Sequence, residues 1–263
     1  MSKKITKKQT EQHEKAAQLL WGMDRRLKRD EVAFCLANWD PRADHKVAHN
    51  DAYFTPMPLA LELARGVGGN GRHVVDICAG IGRLAHAVLC ANDWQVKITA
   101  VEFNPEYVRV GQRLLPEVEW VRGDCFDQAL WQSLPRFDQA ISNPPFGKLS
   151  TNCDLDWIGY CGPAGLTVAA IGLQVARLGV SLILPQSQTI FQYSGYAGLS
   201  GHNWINDNPP SAVKKLAKAR PYLEWDHMAI DSEPYRSDWR GAGPLVELVT
   251  LTDPDADLLT LTQ

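Results

Sequence analysis

No stretch of this 263-residue chain stays apolar long enough to cross a bilayer as a helix. The longest candidate, residues 168–185, is interrupted by Gly172, Gln174, Arg177 and Gly179, and reads as a helix running into a buried strand. The six cysteines (35, 78, 90, 125, 153 and 161) contain no C-x-x-C pair, which removes the common zinc and dithiol signatures. Cys78 and Cys90 sit inside apolar runs, so reduced thiols in a cytoplasmic setting are expected. His45 and His49 share i,i+4 spacing but have no further ligand types nearby, and no metal site is expected. Internal repeats and low-complexity tracts are absent. Met1-Ser-Lys-Lys leads into polar residues without an apolar core, so no secretory signal is expected.

What is present is the composition of an ordinary globule, 45% hydrophobic and 22% charged, enough to bury a core without disulfide staples. The net charge of −3 is unevenly spread. Residues 1–50 carry 11 lysines and arginines against 7 acids, and the remainder is acidic. A polyanion-binding protein needs a local basic face, not a basic total, so the N-terminal segment reads either as a solvated helix or as a phosphate-contacting one.

Residues 6–36 read as one helix, with Ala16, Leu20, Met23, Leu27 and Phe34 at helical spacing, ended by Trp39-Asp40-Pro41. Residues 40–52 form a polar connector. A second helix opens at Tyr53-Phe-Thr-Pro56, with Thr55 as N-cap and Pro56 in the first turn. Strand-like runs then fall at 73–78, 95–103, 118–123, 137–142 and 179–185, alternating with helical patterns at 82–92, 105–115, 126–133 and 165–178. That alternation predicts an α/β fold, a parallel sheet with helices on both faces. After it comes a segment, 186–221, with an aromatic patch (Phe191, Tyr193, Tyr196) and a basic helix (Lys214, Lys215, Lys218, Arg220). Strands at 223–230 and 245–252 close the chain as an antiparallel pair.

Ligands of open parallel sheets bind beyond the C-terminal strand ends. Four consecutive predicted strand ends carry an acid or an amide: Asp76 before Gly80-Ile-Gly82, Glu102 before Phe103, Asp124 before Cys125, and Asn143. Gly80-x-Gly82-x-x-Ala85 alone also matches the dinucleotide fingerprint, and Glu102 lies 20 residues past Gly82, so a nicotinamide oxidoreductase competes. The specific element is Asn143-Pro144-Pro145-Phe146. The two prolines fix φ and remove two donors. An asparagine oxygen beside a free carbonyl on such an elbow accepts both hydrogens of a planar –NH2 group, and so aims its lone pair at an electrophile. Phe146 offers a stacking face, a contact worth about 1–3 kcal/mol per base. The same letters recur at Asn208-Pro209-Pro210-Ser211, but there they follow a polar segment and precede a basic helix, and read as a helix start.

Together these motifs resemble the class I S-adenosylmethionine-dependent methyltransferases, in particular the branch that methylates the exocyclic amine of adenine in DNA. The resemblance covers roughly residues 50–252, and Tyr53-Phe-Thr-Pro56 is similar to the segment that many of these enzymes place against the cofactor's methionine part. It implies a Rossmann-like sheet of seven strands, mostly parallel with an antiparallel C-terminal strand, over residues 51–263, preceded by a helical, locally basic extension over residues 1–50. It implies that Asp76, Ala79, Gly80 and Gly82 surround the cofactor's amino-acid moiety, closed by Phe54, Thr55 and Pro56. Glu102 would hold the ribose, Phe103 the adenine face, and Asp124 with the Cys125 amide the adenine edge. Asn143, shared with the cofactor, and the Pro144 carbonyl would hold the target amine, stiffened by Pro145, with Phe146 stacking on the base. The Ile77-Cys78-Ala79 turn departs from the more open acidic-glycine turn common in the family, and no large target-recognition insert is present.

The resulting expectation is an adenine methyltransferase acting on DNA with short or relaxed specificity. Phosphate contacts would come from Lys3, Lys4, Lys7, Lys8, Arg25, Arg26, Lys28 and Arg29 or from the 214–220 helix. Ribosomal RNA methyltransferases, which share Asn-Pro-Pro-Phe-Gly, are the alternative substrate class. Protein glutamine methyltransferases, which more usually carry tyrosine at the position of Phe146, and a non-catalytic adaptor are the remaining readings.

Overall fold

The structure, a computed structural model, describes residues 6–41, 54–147, 155–196, 204–239 and 245–254. Lys3, Lys4, His45, His49, Tyr53 and Cys153 lie outside the described residues.

Five parallel strands, β1 (His73–Ile77), β2 (Lys97–Glu102), β3 (Glu119–Arg122), β4 (Gln139–Ser142) and β5 (Val180–Pro185), share one sheet with β6 (Glu224–His227) and β7 (Val246–Thr252). The order is β3-β2-β1-β4-β5-β7-β6, with β7 antiparallel to both its neighbours. The chain winds outward from β1 to β3 and then returns to place β4 on the other side of β1. That reversal opens the crevice where ligands of such sheets bind. β1, β2, β4 and β5 are nearly continuous apolar runs, as strands covered on both faces must be.

One face is covered by α3 (Met57–Ala64), α4 (Arg83–Ala91) and α5 (Pro105–Leu114), the other by α6 (Gln128–Gln132), α7 (Ala164–Val175) and α8 (Ser211–Ala219). Local sequence explains several boundaries. Asn104 caps α5, its side-chain oxygen accepting from the Glu106 amide at 2.9 Å with Pro105 in the first turn, and Asp127 caps α6 in the same way. At α3 the structure moves the expected cap by one residue. Pro56 occupies the N-cap position, while the Thr55 carbonyl accepts from the Arg83 guanidinium at 2.9 Å.

The expected single helix over 6–36 is two helices, α1 (Lys7–Gly22) and α2 (Arg29–Asn38), folded back on each other. The break at 23–28 has no proline to announce it. It forms because Arg113, in the last turn of α5, donates to the carbonyls of Leu20, Met23 and Arg25 and so supplies α1 with a tertiary C-cap. Ala16, Leu20, Val32, Cys35, Leu36 and Trp39 are buried in the same core as α3 to α5. The N-terminal pair therefore packs as part of that layer.

Candidate active site

The β1–α4 turn is tight. Cys78, Gly80 and Gly82 all have positive φ, at 61°, 59° and 91°. A side chain at Gly80 would come within 3.2 Å of the Phe54 ring, and one at Gly82 within 2.9 Å of Leu115. Glycine is required at both by conformation and space. Asp76, at the end of β1, is completely buried; one carboxylate oxygen accepts from the Ala85 amide at 3.1 Å, and Oδ1 has no hydrogen-bond partner. Burial raises its pKa to about 8, the Ala85 amide opposing and the nearby Glu102 charge adding to the rise. An orphaned buried carboxylate oxygen suits a ligand that brings a cationic donor.

Glu102 ends β2, buried, and accepts from the Gly80 amide at 2.8 Å and the Asn104 amide at 2.7 Å. Burial lifts its pKa against the pull of these amides. Phe103 beside it is 65% exposed, an aromatic face left open over the strand ends. Past β3, Asp124 is exposed and turns the chain by accepting from the Phe126 amide at 3.0 Å. Cys125 is buried, its carbonyl taken by the Trp131 indole at 2.7 Å and its sulfur 3.5 Å from that of Cys78. Past β4, Pro144 is buried, Asn143 and Phe146 are half-buried, and the Gly147 carbonyl is pinned by the Ala164 amide at the start of α7. The Phe146 ring is backed by buried Trp239, centroids 6.2 Å apart.

These strand ends enclose one cavity of about 740 Å³. Of the residues picked out in the sequence, Phe54, Thr55, Asp76, Ala79, Gly80, Glu102, Phe103, Asp124, Cys125 and Asn143 to Phe146 all line it. Pro56 and Gly82 do not; they shape the turns behind it. Sequence reasoning missed three polar members of the wall, Arg83, Asn104 and Tyr107. The guanidinium of Arg83 is buried over the Phe54 ring, 5.2 Å from its centroid. The Tyr107 hydroxyl is buried without a partner, and burial, with the Glu102 and Asp40 charges, pushes its pKa up to about 12. Arg83 and Tyr107 lie on helical faces that read as ordinary amphipathic pattern, and only the fold turns them toward the strand ends.

Other expectations are corrected. Phe191 is buried, and Arg220 is too, pairing with Asp253 at 3.4 Å and donating to Ile158 and Gln174, so neither is a surface contact. Arg25 forms a bidentate pair with Glu31, Arg26 pairs with Glu117, and Arg29 lies over Trp94. Glu117 and Trp94 lie in the turns leading into β3 and β2, so this cluster sits at the end of the sheet opposite the cavity.

Among the described residues, no helix is long and apolar enough to cross a membrane and no cluster of three metal-ligand types exists. Residues 60–155 match the family model of the methyltransferase small domain. No curated protein matches the chain in sequence. Among solved structures, a protein from Vibrio vulnificus assigned as the modification subunit of a type I restriction enzyme aligns over 88% of this chain and 51% of its own, with 12% identity and a TM-score of 0.58. The methyltransferase subunit of a type I restriction-modification system from Streptococcus thermophilus aligns over 84% and 48%, with 13% identity and a TM-score of 0.54. The chain spans about half the length of these two. A protein from Pyrococcus horikoshii assigned as an RNA methyltransferase aligns over 85% and 97%, with 18% identity and a TM-score of 0.49. The small-domain match spans the glycine turn and the first four strands, and the sheet is wound in the order of the Rossmann-like methyltransferase fold.

Proposed function

We propose that this protein is an S-adenosylmethionine-dependent methyltransferase acting on the exocyclic amine of adenine in DNA. The observation carrying this reading is that the Asp76 end of β1 and the Asn143-Pro-Pro-Phe elbow after β4 are walls of one cavity. The cofactor supplies a methyl carbon made electrophilic by its sulfonium. The residues present fit it. Unpartnered Asp76 Oδ1 suits its ammonium, and Arg83 brings a cation for its carboxylate. Glu102 and Asp124 offer acceptors for the ribose and the adenine amine, and Phe103 offers an exposed face for the adenine ring. Phe54, lying over Gly80, closes the methionine end together with Thr55.

On the target side, the Asn143 side-chain oxygen and the Pro144 carbonyl accept the two amine hydrogens. They draw the nitrogen lone pair out of conjugation with the ring and offset the positive charge that develops on nitrogen. No strong base is required, because the proton leaves only after the nitrogen has become cationic. Phe146, braced by Trp239, gives the base a face to stack on. A target inside a duplex must first be flipped out, at a cost of a few kcal/mol. The DNA reading is supported by the resemblance of Asn143–Phe146 to adenine DNA methyltransferases, and agrees with the type I restriction-modification assignments of the two structures sharing this fold.

The test is purified protein with methyl-labelled cofactor, offered duplex DNA, single-stranded DNA and total RNA, with the product nucleoside identified. N6-methyldeoxyadenosine is expected; label confined to RNA or to protein overturns the assignment. Asn143→Ala should abolish transfer while leaving cofactor affinity within about threefold, the loss being confined to interactions made in the transition state. Equal loss of both would point to misfolding or to a wrong role.

A further inference from the structure

The segment after β5 is built with unusual care for a connection. Glu247 in β7 is fully buried, and its Oε1 accepts from the Gln186 side chain at 2.7 Å and from the Tyr193 and Ser194 amides at 2.9 Å. Its other oxygen meets His227 Nε2 at 2.8 Å and the Ser194 hydroxyl at 3.3 Å. The His227 ring in turn packs on Phe191 and Tyr193, with centroids 4.8 and 5.0 Å away. A bridge between Phe191 and Ile205, flanked by backbone bonds Gln192 to Trp204 and Asn206 to Ile190, fixes a two-stranded ribbon. The product of this scaffolding is an aromatic pair at the surface: half-buried Tyr193 meets Trp204 edge to face at 4.7 Å, and Trp204 stays 44% exposed.

Two links tie this ledge to the cavity. Gly147, which ends the cavity wall, bonds Ala164, and next to it Gly165 lies against Gln188, leaving no room for a side chain there. On the other side Phe146 rests on Trp239, which ends the turn beginning at Ser232, whose amide donates to the Ser194 hydroxyl. A cation completes it. Exposed Lys214, in the first turn of α8, donates to the Asn208 side chain at 2.6 Å, and Asn208 is itself bonded to Asn206 of the ribbon.

We propose that the Tyr193–Trp204 pair is a stacking platform for an unpaired base of the DNA strand immediately beside the target adenine, with Lys214 at the adjoining phosphate. Aromatic faces hold bases irrespective of identity, so the platform gives affinity for an opened strand without a sequence code. A fully buried carboxylate spent on immobilising a surface segment is the arrangement a binding site needs and a passive loop does not. The inference rests on the DNA-adenine reading and adds where the neighbouring nucleotide lies.

The test uses the full chain and a fluorescent single-stranded 11-mer carrying one adenine among thymines, with each flanking base in turn replaced by an abasic residue. At one flank, removal of the base and Trp204→Ala should each weaken binding by roughly 5- to 140-fold, the range that stacking of one base gives. Combining them should add little, since both delete the same interaction. KM should rise with kcat and cofactor affinity unchanged, and Trp204→Phe should restore most of the loss. Additive effects, or an abasic flank bound as tightly as thymine on both sides, overturn the platform. A wild-type protein that binds the 11-mer with this coupling but leaves its adenine unmethylated keeps the platform and sinks the adenine-methylation reading instead.

Discussion

Asp76 is the residue whose chemistry is most exposed to test. Its raised pKa, about 8, means that the folded protein retains a proton that the unfolded chain releases near pH 4. Its contribution to stability is therefore fully present below about pH 4 and is lost progressively as pH rises to about 8. Asp76→Asn should remove that decline and raise the melting temperature of the cofactor-free protein at pH 8. A variant melting below wild type there would show the carboxylate to be structural. Pairing with a cationic ligand favours the ionised form, so cofactor binding at pH 7 should release close to one proton, read by calorimetry in buffers of different ionisation enthalpy. In the sequence Asp76 was legible as a strand-end acid; that one of its oxygens lacks a partner was not, because partners come from other elements.

At the scale of elements, the two N-terminal helices bear on the cavity through an aromatic chain. Buried Trp39, following α2, packs edge-on against Phe54 and Tyr107, which are themselves 5.3 Å apart. Phe54 in turn covers Gly80. Trp39→Ala is expected to cost about 3–5 kcal/mol in urea unfolding. It should also weaken cofactor binding, whereas Trp21→Ala, removing an exposed ring stacked by Arg109, should do neither. Equal effects of the two would separate the helices from the site. On the same layer Gly111 of α5 faces Trp120 so closely that an added Cβ would lie 2.1 Å from the ring. Gly111→Ala should therefore destabilise by about 1–3 kcal/mol in the same assay. The amphipathic pattern of these helices was readable in the sequence. The fold-back between α1 and α2 was not, since its cap is an arginine about 90 residues away.

For the whole molecule, charge placement decides how a polyanion would approach if the DNA reading holds. The tie of Lys215 to the Cys161 carbonyl and of the Tyr160 hydroxyl to Ala212 brings the first turn of α8 to the cavity end of the sheet. The arginines at 25, 26 and 29 are at the other end, engaged with Glu31, Glu117 and Trp94. Replacing Lys214, Lys215 and Lys218 by glutamine should reduce the salt slope of DNA binding, by about 0.7 for each phosphate no longer neutralised on a single strand. Arg25→Gln with Arg26→Gln should leave it unchanged; a flattened slope for that pair would restore the N-terminal segment as a phosphate-binding element.

By itself the sequence determined the alternation of seven strands with their helices, the antiparallel end of the sheet and the strand ends that carry acids, amides and the proline elbow. Those follow from local causes: hydrophobic period, capping residues, and the need for glycine or proline at particular φ. Which of those residues share a wall, that Arg83 and Tyr107 join them, that Arg220 is a buried brace, and that the basic cluster faces away from the cavity were decided only by tertiary structure. Side-chain partners, burial and the end of the sheet a charge occupies are set by contacts between segments distant in the chain, and no local pattern encodes them.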